Sequence, residues 1–356
     1  MTGPRAPRGI DVGGVDRRAF LRVVSAGVAG LCAGGTGPFA APDAPTPGRA
    51  DAFRFAVIAD AHLSVDPRND RAEKALLRAV ADVNAMDPQP DFVVFGGDLA
   101  RDGRKDALAF GARILKAVKA PVRMVVGDHD RHLDGGVAWR ALFGDDAYAW
   151  THKGVRFVVV NGVRRVGEGA SSATRDGAIQ GPLHADDRRW AAFEVGEEGR
   201  ARLAAHLAGV TKETPVVVLS HGPLYKLHRG WNLWTEDAET VQAILAPFDR
   251  VTVVHAHAHQ PLAHRIGRID FHGMLATAFP LPRPPEGVPP LTFPIDRPNP
   301  FNPADGCGIG WVRIAADGTA DVTHAWWNRE PTTVTGRRMR SGGVEDPPPR
   351  ARRSSY

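Results

Sequence analysis

The stretch VTVVHAHAHQ, residues 251–260, joins an apolar run directly to a row of histidines. The β-branched residues at 251–254 predict a strand buried in a sheet. His255, His257 and His259 then follow at spacings of two. Such a row is either an ordinary polar strand end or a set of nitrogen ligands, and the residues that follow the other predicted strands distinguish these two interpretations.

Strands and helices alternate along the chain before this stretch. Short apolar runs predict strands at 53–59, 91–96, 121–126, 155–161 and 215–220. Apolar residues at helical spacing predict helices at 71–86, 105–118, 200–210 and 238–248. The β-rich ends at 267–279 and 311–327 predict antiparallel hairpins, and the Pro-dense segment 280–304 excludes a helix or a central strand. This order predicts a mixed α/β sheet protein.

Aspartate or histidine follows five of the predicted strands at the carboxyl end. In chain order these residues are Asp60 and His62, Asp98, Asp128 with His129 and Asp130, His221, and finally His257 and His259. Sites in open α/β sheets form in the crevice outside these strand ends. Carboxylates bridge divalent cations well, and imidazole completes the coordination of Mn, Fe or Zn. Two such ions can together clamp a phosphoryl oxygen.

The spacing within these motifs carries two local predictions. If the backbone stays extended, Asp60 with His62, and His257 with His259, point to one side of the chain. His255 then lies on the same side, one step deeper, which leaves open whether it is a ligand, a hydrogen-bond donor to a ligand, or neither. The glycines beside Asp98 and Asp128 allow tight turns beneath a metal ion.

Taken in order, the motifs resemble those of the calcineurin-like metallophosphoesterases, which carry D-x-H, G-D-x-x-x-x-G, G-N-H-[DE], a lone H and G-H-x-H. The corresponding stretches here are DAH at 60–62, GDLARDG at 97–103, GDHD at 127–130, His221 and AHAH at 256–259. The similarity covers roughly 55–265 and is greatest to the small bacterial class III-type phosphodiesterase branch. It implies an α/β fold in which two mixed β-sheets lie face to face and are flanked by helices, a four-layer sandwich.

The resemblance also implies a site with two divalent transition-metal ions (Fe, Mn or Zn). The first ion would take Asp60, His62, bridging Asp98 and His259, and the second would take Asp98, Asp128, His221 and His257. A hydroxide shared by the ions would attack the phosphorus of a small phosphodiester or phosphomonoester. His129 would contact the scissile phosphate and help the leaving oxygen depart, with Asp130 orienting His129.

Two residues depart from the family pattern: Asp128 stands where the family has Asn, and Ala256 stands where it has Gly. Asp128 adds a third carboxylate, so we expect tighter metal binding and a less acidic bridging water. This change keeps open a non-catalytic metal- or ligand-binding protein on the same scaffold. A nuclease is the other alternative, and it is disfavoured because no basic stripe with interleaved aromatic residues flanks the motifs.

The segment LHRGWNLW at 227–234, just after His221, is either a packed loop or a wall of the substrate pocket. The loop leaves a strand that carries a predicted ligand, and binding residues are often found on such loops. We therefore include His228, Trp231 and Trp234 as candidate substrate-binding residues.

The N-terminal segment DRRAFLRVVSAGVAGLCAGG, residues 16–35, resembles a twin-arginine export signal in its Arg17-Arg18 pair followed by Phe20 and Leu21. It is too short for stable membrane insertion. We predict a signal at 1–41 without a readable cleavage site, a linker at 42–51, a metallophosphoesterase domain at 52–330 and a basic disordered tail at 331–356. The expected partner is the twin-arginine export machinery and the expected location is periplasmic or secreted.

Charge and cysteine content bear on two other classes of protein. The formal net charge is +5, and residues 335–356 alone carry six arginines against Glu345 and Asp346, which leaves about +4 in this tail. The basic balance therefore gives no argument for a nucleic-acid partner. Two cysteines, Cys32 and Cys307, exclude a metal cluster held by cysteine.

Overall fold

The computed structural model describes residues 52–65, 70–163, 193–282, 291–296, 298–299, 301–302 and 305–341. The predicted export signal at 1–41 and the linker at 42–51 lie outside these ranges. Among the described residues, no helix has the length and the hydropathy needed to cross a bilayer.

Strands and helices alternate in the first two thirds of the chain. The described strands are β1 (Phe53–Ile58), β2 (Phe92–Phe95), β3 (Val122–Met124), β4 (Ala149–His152), β5 (Val155–Val160), β6 (Val216–Ser220), β7 (Lys226–His228), β8 (Leu233–Trp234), β9 (Val251–His255), β10 (Leu262–Ile266), β11 (Ile269–Gly273), β12 (Leu291–Thr292), β13 (Gly308–Ile314), β14 (Ala320–Trp326) and β15 (Thr332–Val334). The α-helices are α1 (Asp70–Asn84), α2 (Lys105–Leu115), α3 (Val137–Phe143), α4 (Gly196–Leu207), α5 (Ala238–Leu245) and α6 (Gly336–Arg340).

Two mixed β-sheets form the centre of the fold. The first has the strand order β15-β14-β13-β1-β2-β3, and the second has the order β12-β10-β11-β9-β6-β5-β4. Strands β1 to β3 are parallel in the first sheet, as are β5, β6, β9 and β11 in the second. The remaining pairs are antiparallel, so the predicted mixture of βα units and hairpins is confirmed.

Helices cover the outer face of each sheet. Leu76 of α1 and Leu108 of α2 belong to one apolar core with Phe95 of the first sheet. Leu203 of α4 and Val241 of α5 belong to another core with residues of the second sheet. Because each parallel strand is buried on both faces, its sequence is almost continuously apolar, as in FVVF of β2 and VVVLS of β6.

The two sheets pack on each other through aromatic side chains. Phe55 of β1 stacks on Phe92 of β2 with ring centroids 5.0 Å apart. Phe157 of β5, in the second sheet, meets Phe55 edge-on at 5.6 Å. Both arrangements are favourable for aromatic rings. The layers therefore run helix, sheet, sheet, helix, which confirms the predicted two mixed sheets flanked by helices.

The parallel strands bring their carboxyl ends to one edge of the molecule, where short hydrogen bonds tie neighbouring loops together. After β1 and β2, the Asp60 amide donates to the Gly97 carbonyl at 3.0 Å and the His62 amide donates to the Asp98 carbonyl at 2.9 Å. After β6 and β9, the Ala256 amide donates to the His221 carbonyl at 3.0 Å. The predicted site residues stand on these loops.

The prediction of a disordered tail from residue 331 onward was wrong for its first part. Strand β15 pairs with β14 at the end of the first sheet, and α6 follows it. Val334 and Met339 are buried against Phe293 and Ile295. Two apolar side chains thus tie this segment to the sheets despite the arginines around them. Residues 342–356 lie outside the described ranges.

Two C-terminal segments show how far strand patterns constrain pairing. The predicted hairpin that includes β11 is formed with the strand before it, since β11 pairs antiparallel with β10. On its other edge β11 pairs parallel with β9. Among the described residues of the Pro-dense segment, the only strand or helix is the two-residue strand β12, which lies at the end of the second sheet. That position agrees with the exclusion of a helix or central strand.

Candidate metal centre

Asp60, His62 and His259 meet at one side of the strand-end edge. They offer one ligand atom each, all within 4.8 Å of one another. Nε2 of His259 lies 3.1 Å from Nε2 of His62 and 3.3 Å from Oδ1 of Asp60. All three residues are buried. The loops after β1 and β9 thus bring together donor atoms from residues about two hundred positions apart in sequence.

A second group lies beside the first and consists of Asp98, Asp128, His221 and His257. Oδ1 of Asp128 lies 3.0 Å from Nε2 of His221 and 3.3 Å from Nδ1 of His257. The loops after β2, β3, β6 and β9 each contribute one residue. The structure therefore places all seven predicted ligands in two adjacent groups, divided as the family resemblance implies.

Asp98 faces both groups with one oxygen atom. Its Oδ2 lies 3.6 Å from Nε2 of His62 and 3.3 Å from Nε2 of His221. Gly127 permits this position, because a Cβ at residue 127 would lie only 2.0 Å from Oδ1 of Asp98. A Cβ at Gly97 would lie 2.5 Å from the His221 ring. The glycines beside Asp98 and Asp128 are thus required because side chains pack closely against them, as well as because the backbone turns there.

Most of the predicted ligands lie at positions where the backbone adopts the left-handed conformation. Among the described non-glycine residues, positive φ occurs at Asp60 (53°), His62 (46°), Asp98 (55°), His257 (62°), His259 (49°), Lys153 and Asn232. Five of these seven residues are predicted ligands, and such strain concentrates at functional sites. Our expectation of extended alternation at Asp60-x-His62 and His257-x-His259 was therefore wrong. The chain has already turned there, and this turn sends His257 and His259 to different groups.

Backbone carbonyls fix the orientation of two histidine rings. Nδ1–H of His221 donates to the carbonyl of Gly96 at 2.8 Å, and Nδ1–H of His259 donates to the carbonyl of Phe279 at 2.7 Å. In the neutral ring, each bond leaves Nε2 as the unprotonated atom, with its lone pair directed into the site. Histidine ligands of metal ions in proteins are held in this way.

Opposite charges near one another shift the pKa values within the site. Burial opposes charge on His221, but Asp98 and Asp128 raise its pKa well above the usual value. Burial likewise opposes charge on Asp128, but His257 and His221 hold its pKa well below the usual value. The pKa of His62 is lowered well below its ordinary value by burial and by His259. The site is therefore a buried mixture of anionic carboxylates and imidazoles.

The donor atoms fit divalent transition metals. Both carboxylate oxygens of Asp60, Oδ1 of Asp128 and Nε2 of His221 are buried and make no well-directed hydrogen bond within the described ranges. Buried polar atoms are rarely left in this state unless something else satisfies them. Carboxylate oxygen combined with imidazole nitrogen is the donor set of Mn, Fe and Zn sites. Asp60, Asp98 and Asp128 would offset three of the four positive charges of two such ions.

His129 lies beside the group that includes His62. The two rings meet edge-on with centroids 4.7 Å apart, and the backbone amide of His129 donates to Oδ1 of Asp98 at 3.0 Å. Nδ1–H donates to the carbonyl of Arg101, which leaves Nε2 available. Burial opposes protonation, but Asp98 and Asp128 raise the pKa of His129 to about 9. His62, Asp98 and His129 also form a third group of potential ligands.

Asp130 holds loop backbone and makes no recorded contact with the His129 ring within the described part of the chain. Its carboxylate accepts from the amide of Ala100 at 2.9 Å and from the amide of Gly127 at 3.0 Å. Burial and the nearby Asp98 raise the pKa of Asp130 to about 7. Our expectation that Asp130 orients the His129 ring is not supported by these contacts, because the Arg101 carbonyl holds that ring instead.

His255 stands apart from both ligand groups. Its Nε2 lies 3.0 Å from the Tyr225 hydroxyl and its Nδ1 lies 3.0 Å from the Ala256 carbonyl. Burial lowers the pKa of His255 to about 4. It is therefore a neutral core histidine with a hydroxyl partner. The histidine row in the opening stretch divides between the core and the two ligand groups.

Two phenylalanines that we had not predicted lie against the ligand histidines. Phe193 meets the His257 ring edge-on at 4.7 Å. Phe279 lies 4.5 Å from the His259 ring and 5.1 Å from the His62 ring. The only available sequence signal for Phe279 is its position at the end of the β-rich stretch 267–279, just before the Pro-dense segment. Phe193 has no comparable signal.

The predicted substrate-binding residues lie on the hairpin β7–β8 and its connecting turn. The rings of His228 and Trp231 meet edge-on at 5.1 Å. Trp234 lies near the charged ends of Lys226 and Arg229, at 5.4 and 5.6 Å. These contacts link the hairpin residues to one another and not to the ligands, so a substrate-binding role for His228, Trp231 and Trp234 stays a prediction.

Comparisons with known proteins agree with this geometry. The profile of the calcineurin-like phosphoesterases matches residues 53–261. A probable cyclic nucleotide phosphodiesterase of Rhodopseudomonas palustris is 35% identical over 83 residues, which cover 22% of this chain and 30% of that relative.

Among solved structures, a dimetal phosphatase from Danio rerio has a TM-score of 0.51 at 17% identity, covering 80% of this chain and 98% of that one. A purple acid phosphatase from yellow lupin (Lupinus luteus) seeds has a TM-score of 0.55 at 13% identity, covering 82% of this chain and 55% of that one. At these identities the structures support the fold. Since the profile match spans more than half of the sequence, the chain belongs to the calcineurin-like phosphoesterase family.

Proposed function

We propose that this protein is a phosphoric ester hydrolase that uses two divalent transition-metal ions, Fe, Mn or Zn, held by its two ligand groups. The observation that carries the proposal is Oδ2 of Asp98, which lies 3.6 Å from a histidine of one group and 3.3 Å from a histidine of the other. A shared carboxylate between two adjacent donor sets is the arrangement that a two-metal hydrolase needs. The family and the fold are those of metal-dependent phosphoesterases.

The residues divide into holding and reacting groups. Asp60, His62, Asp98 and His259 would hold one ion, and Asp98, Asp128, His221 and His257 the other. When bound, the ions supply an activated water and neutralise charge on the phosphoryl group. The carbonyls of Gly96 and Phe279 keep His221 and His259 in the orientation that binding requires.

His129 is the proposed acid. Its Nδ1–H is engaged by the Arg101 carbonyl, so the proton to be transferred would be the one on Nε2. In the metal-free protein, Asp98 and Asp128 stabilise the protonated ring. Donation of that proton to the departing oxygen would avoid release of an alkoxide, which is how general acids accelerate ester cleavage.

The substrate we propose is a small phosphodiester or phosphomonoester. The relative from Rhodopseudomonas palustris is named for diesters, whereas the structures from Danio rerio and Lupinus luteus are named phosphatases. The ligand groups themselves recognise the phosphoryl oxygens and do not discriminate between the two classes.

Metal content and turnover test this proposal together. The full chain, loaded with Mn²⁺, should bind two ions and hydrolyse p-nitrophenyl phosphate, bis-p-nitrophenyl phosphate or both. A chelator should abolish turnover, and added Mn²⁺ should restore it. Two bound ions without turnover of either ester would favour the alternative, a metal- or ligand-binding protein on this scaffold.

We also propose that the chain is exported by the twin-arginine route to the periplasm or beyond. Support comes from the sequence order Arg17-Arg18 followed by Phe20 and Leu21. Replacement of both arginines by lysine should retain a longer protein in the cytoplasm, measured by fractionation and mass spectrometry. Unchanged export of the Arg17→Lys/Arg18→Lys variant would refute the route.

A further inference from the structure

The backbone carbonyl of Ala256 closes the turn that separates the two ligand histidines of the AHAH motif. It accepts from the amide of Ala258 at 2.6 Å, and φ of the intervening His257 is 62°. A three-residue hydrogen-bonded turn with positive φ at its centre is a γ-turn of the rare, strained kind. This turn sends His257 into one ligand group and His259 into the other. A strained turn persists only when its surroundings hold it.

His255 gives the Ala256 carbonyl a second hydrogen bond. Its Nδ1 lies 3.0 Å from this oxygen. Because a carbonyl oxygen only accepts, Nδ1 carries the proton, and Nε2 of the neutral ring is left as an acceptor. That Nε2 atom lies 3.0 Å from the Tyr225 hydroxyl, which is therefore the donor of the second bond. The contacts thus fix both the tautomer of His255 and the direction of a chain of bonds from Tyr225 to the turn.

Tyr225 and His255 are both buried, with at most 1% of either residue exposed. The Tyr225 ring meets the His255 ring edge-on at 5.4 Å and packs on Phe271 at 5.1 Å. Gly273, which lies opposite His255 on β11, leaves room for the imidazole, because a Cβ there would lie 3.0 Å from Cε1. Hydrogen bonds in such a setting are costly to break, since the freed groups find no water to replace their partners.

The same pair joins the two segments that carry the histidines of the second ligand group. Tyr225 stands four residues after His221, and His255 stands two residues before His257. The Ala256 amide donates to the His221 carbonyl at 3.0 Å, so a backbone bond links the same segments. The side-chain bond between Tyr225 and His255 therefore adds a second connection between residues whose ring nitrogens have to meet at one ion.

We propose that Tyr225 and His255 are positioning residues that hold the γ-turn in the shape that metal binding requires. This rests on the proposed function. His255 would act on the ions through the backbone of the turn, without touching them. Each ion would take one histidine of the turn, so a loosened turn should weaken both sites. Loss of a group that orients metal ligands typically lowers metal affinity by roughly 10- to 100-fold.

Tyr225→Phe removes the hydroxyl donor and keeps the ring. In the full chain loaded with Mn²⁺, both ions should leave at a chelator concentration about tenfold lower than in wild type, measured by metal analysis. Tyr148→Phe is the matched control, because the Tyr148 hydroxyl donates to the Met124 carbonyl at 2.9 Å, away from the turn. It should keep wild-type retention. Wild-type retention in Tyr225→Phe would overturn the proposal, and so would an equal loss in Tyr148→Phe.

Two substitutions of His255 separate positioning from simple filling of the core. His255→Asn places an amide nitrogen where Nδ1 stood, so a donor to the Ala256 carbonyl is kept, whereas His255→Leu fills the space without a donor. Retention of both ions should stay within about threefold of wild type in His255→Asn and fall about tenfold in His255→Leu. A packing role predicts the reverse order, because leucine is closer to histidine in volume and leaves no buried amide unpaired. Retention in His255→Leu that equals or exceeds that in His255→Asn would overturn the proposal.

Folding of the metal-free variants is measured alongside. Circular dichroism and thermal unfolding should show that metal-free Tyr225→Phe remains folded at the assay temperature. An unfolded chain there would assign the loss of ions to the fold and overturn the proposal. If wild type binds two ions but hydrolyses neither nitrophenyl ester, the proposed function fails, and the order of ion retention among the variants still decides the roles of Tyr225 and His255. A wild-type chain that binds no ions would overturn both.

Discussion

Buried histidines occur in two regions of this protein, and their surroundings differ. At the strand-end edge, the buried His62, His221 and His259 lie with the partly buried His257 among carboxylates in the two ligand groups. Between the sheets, His272 of β11 and His324 of β14 are fully buried, and neither ring nitrogen of either residue has a hydrogen-bond partner in the described ranges. His272 pairs laterally with Val254 and thus faces the core between the sheets.

The difference shows that neighbours and backbone decide what a buried imidazole does. Carboxylates raise the pKa of His221 well above its usual value. Burial lowers the pKa of His272 to about 3, with His324 adding to the effect, and burial lowers the pKa of His324 to about 4. The histidines between the sheets also lie within regular strands, whereas His62, His257 and His259 lie in left-handed turns. The following substitutions test this contrast.

The largest effect is expected at Asp98, which faces both ligand groups. Asp98→Ala should lose both ions together, since it removes the oxygen they would share, and activity should fall by about a thousandfold or more. Metal analysis and turnover measure this. Asp102→Ala, an exposed carboxylate on the same loop, is the control and should retain both ions. Two ions retained in Asp98→Ala would contradict the bridging assignment.

His129→Ala comes next and separates a reacting histidine from a ligand. The ring adjoins the first ligand group but is held by the Arg101 carbonyl. We expect full metal content and a loss of activity of about a hundredfold, the usual contribution of a general acid. His132→Ala on the same loop is the control and should change neither quantity. Metal content that falls in step with activity would make His129 a ligand instead.

Asp128→Asn tests the carboxylate that departs from the family pattern. Asp128 contacts His221 and His257, so an amide there would weaken the second site more than the first. We expect one of the two ions to leave at a chelator concentration about tenfold lower, because a neutral oxygen is the weaker ligand. Titration with a chelator, followed by metal analysis, measures this. Unchanged retention of both ions would show that Asp128 does not strengthen the site.

The smallest effect is expected at His272. Its folded-state pKa is about 3 and its ordinary value is about 6.5, so the unfolded chain binds a proton that the folded protein does not. Stability should therefore fall as pH decreases from about 6.5 towards 3, by up to about 1.4 kcal/mol per pH unit for this group. Above pH 7 the group contributes no such dependence.

His272→Leu should remove that slope and leave the free energy of unfolding at pH 8 within about 1 kcal/mol of wild type, because an apolar side chain of similar size suits an apolar core. Denaturant unfolding at pH 8 and pH 5 measures both quantities. An identical loss between these pH values in variant and wild type would assign the acid sensitivity to other groups.

Strand-end motifs predicted much of the fold and the composition of the site. Apolar runs located β1, β2, β6 and β9, and the Asp and His residues after them located the edge where they meet. The order of the motifs identified the family, and the mixed sheets with flanking helices followed from it. All these signals lie in short stretches of sequence, so they can be recognised in a single sequence.

Other features depend on contacts that a local pattern does not encode. Extended alternation failed at His257 and His259 because their φ angles are positive. The contacts of Asp130 could not be predicted, because one of the two amides that it binds belongs to Ala100 on a different loop, and the motif GDHD does not reveal that pairing. The segment 331–341 looked like a basic tail because Val334 and Met339 are its only large apolar side chains, and its pairing with β14 is not visible in the local sequence.

The left-handed turns also bear on efforts to make this protein more robust. Asp60, His62, Asp98, His257 and His259 adopt a conformation that disfavours side chains with a Cβ, at about 1 kcal/mol or more each. Glycine at these positions would relax the backbone of the metal-free chain while removing a donor atom. Selection for thermostability alone would therefore drift towards variants that fold well and bind no ions. A screen on this scaffold has to score metal retention together with melting temperature.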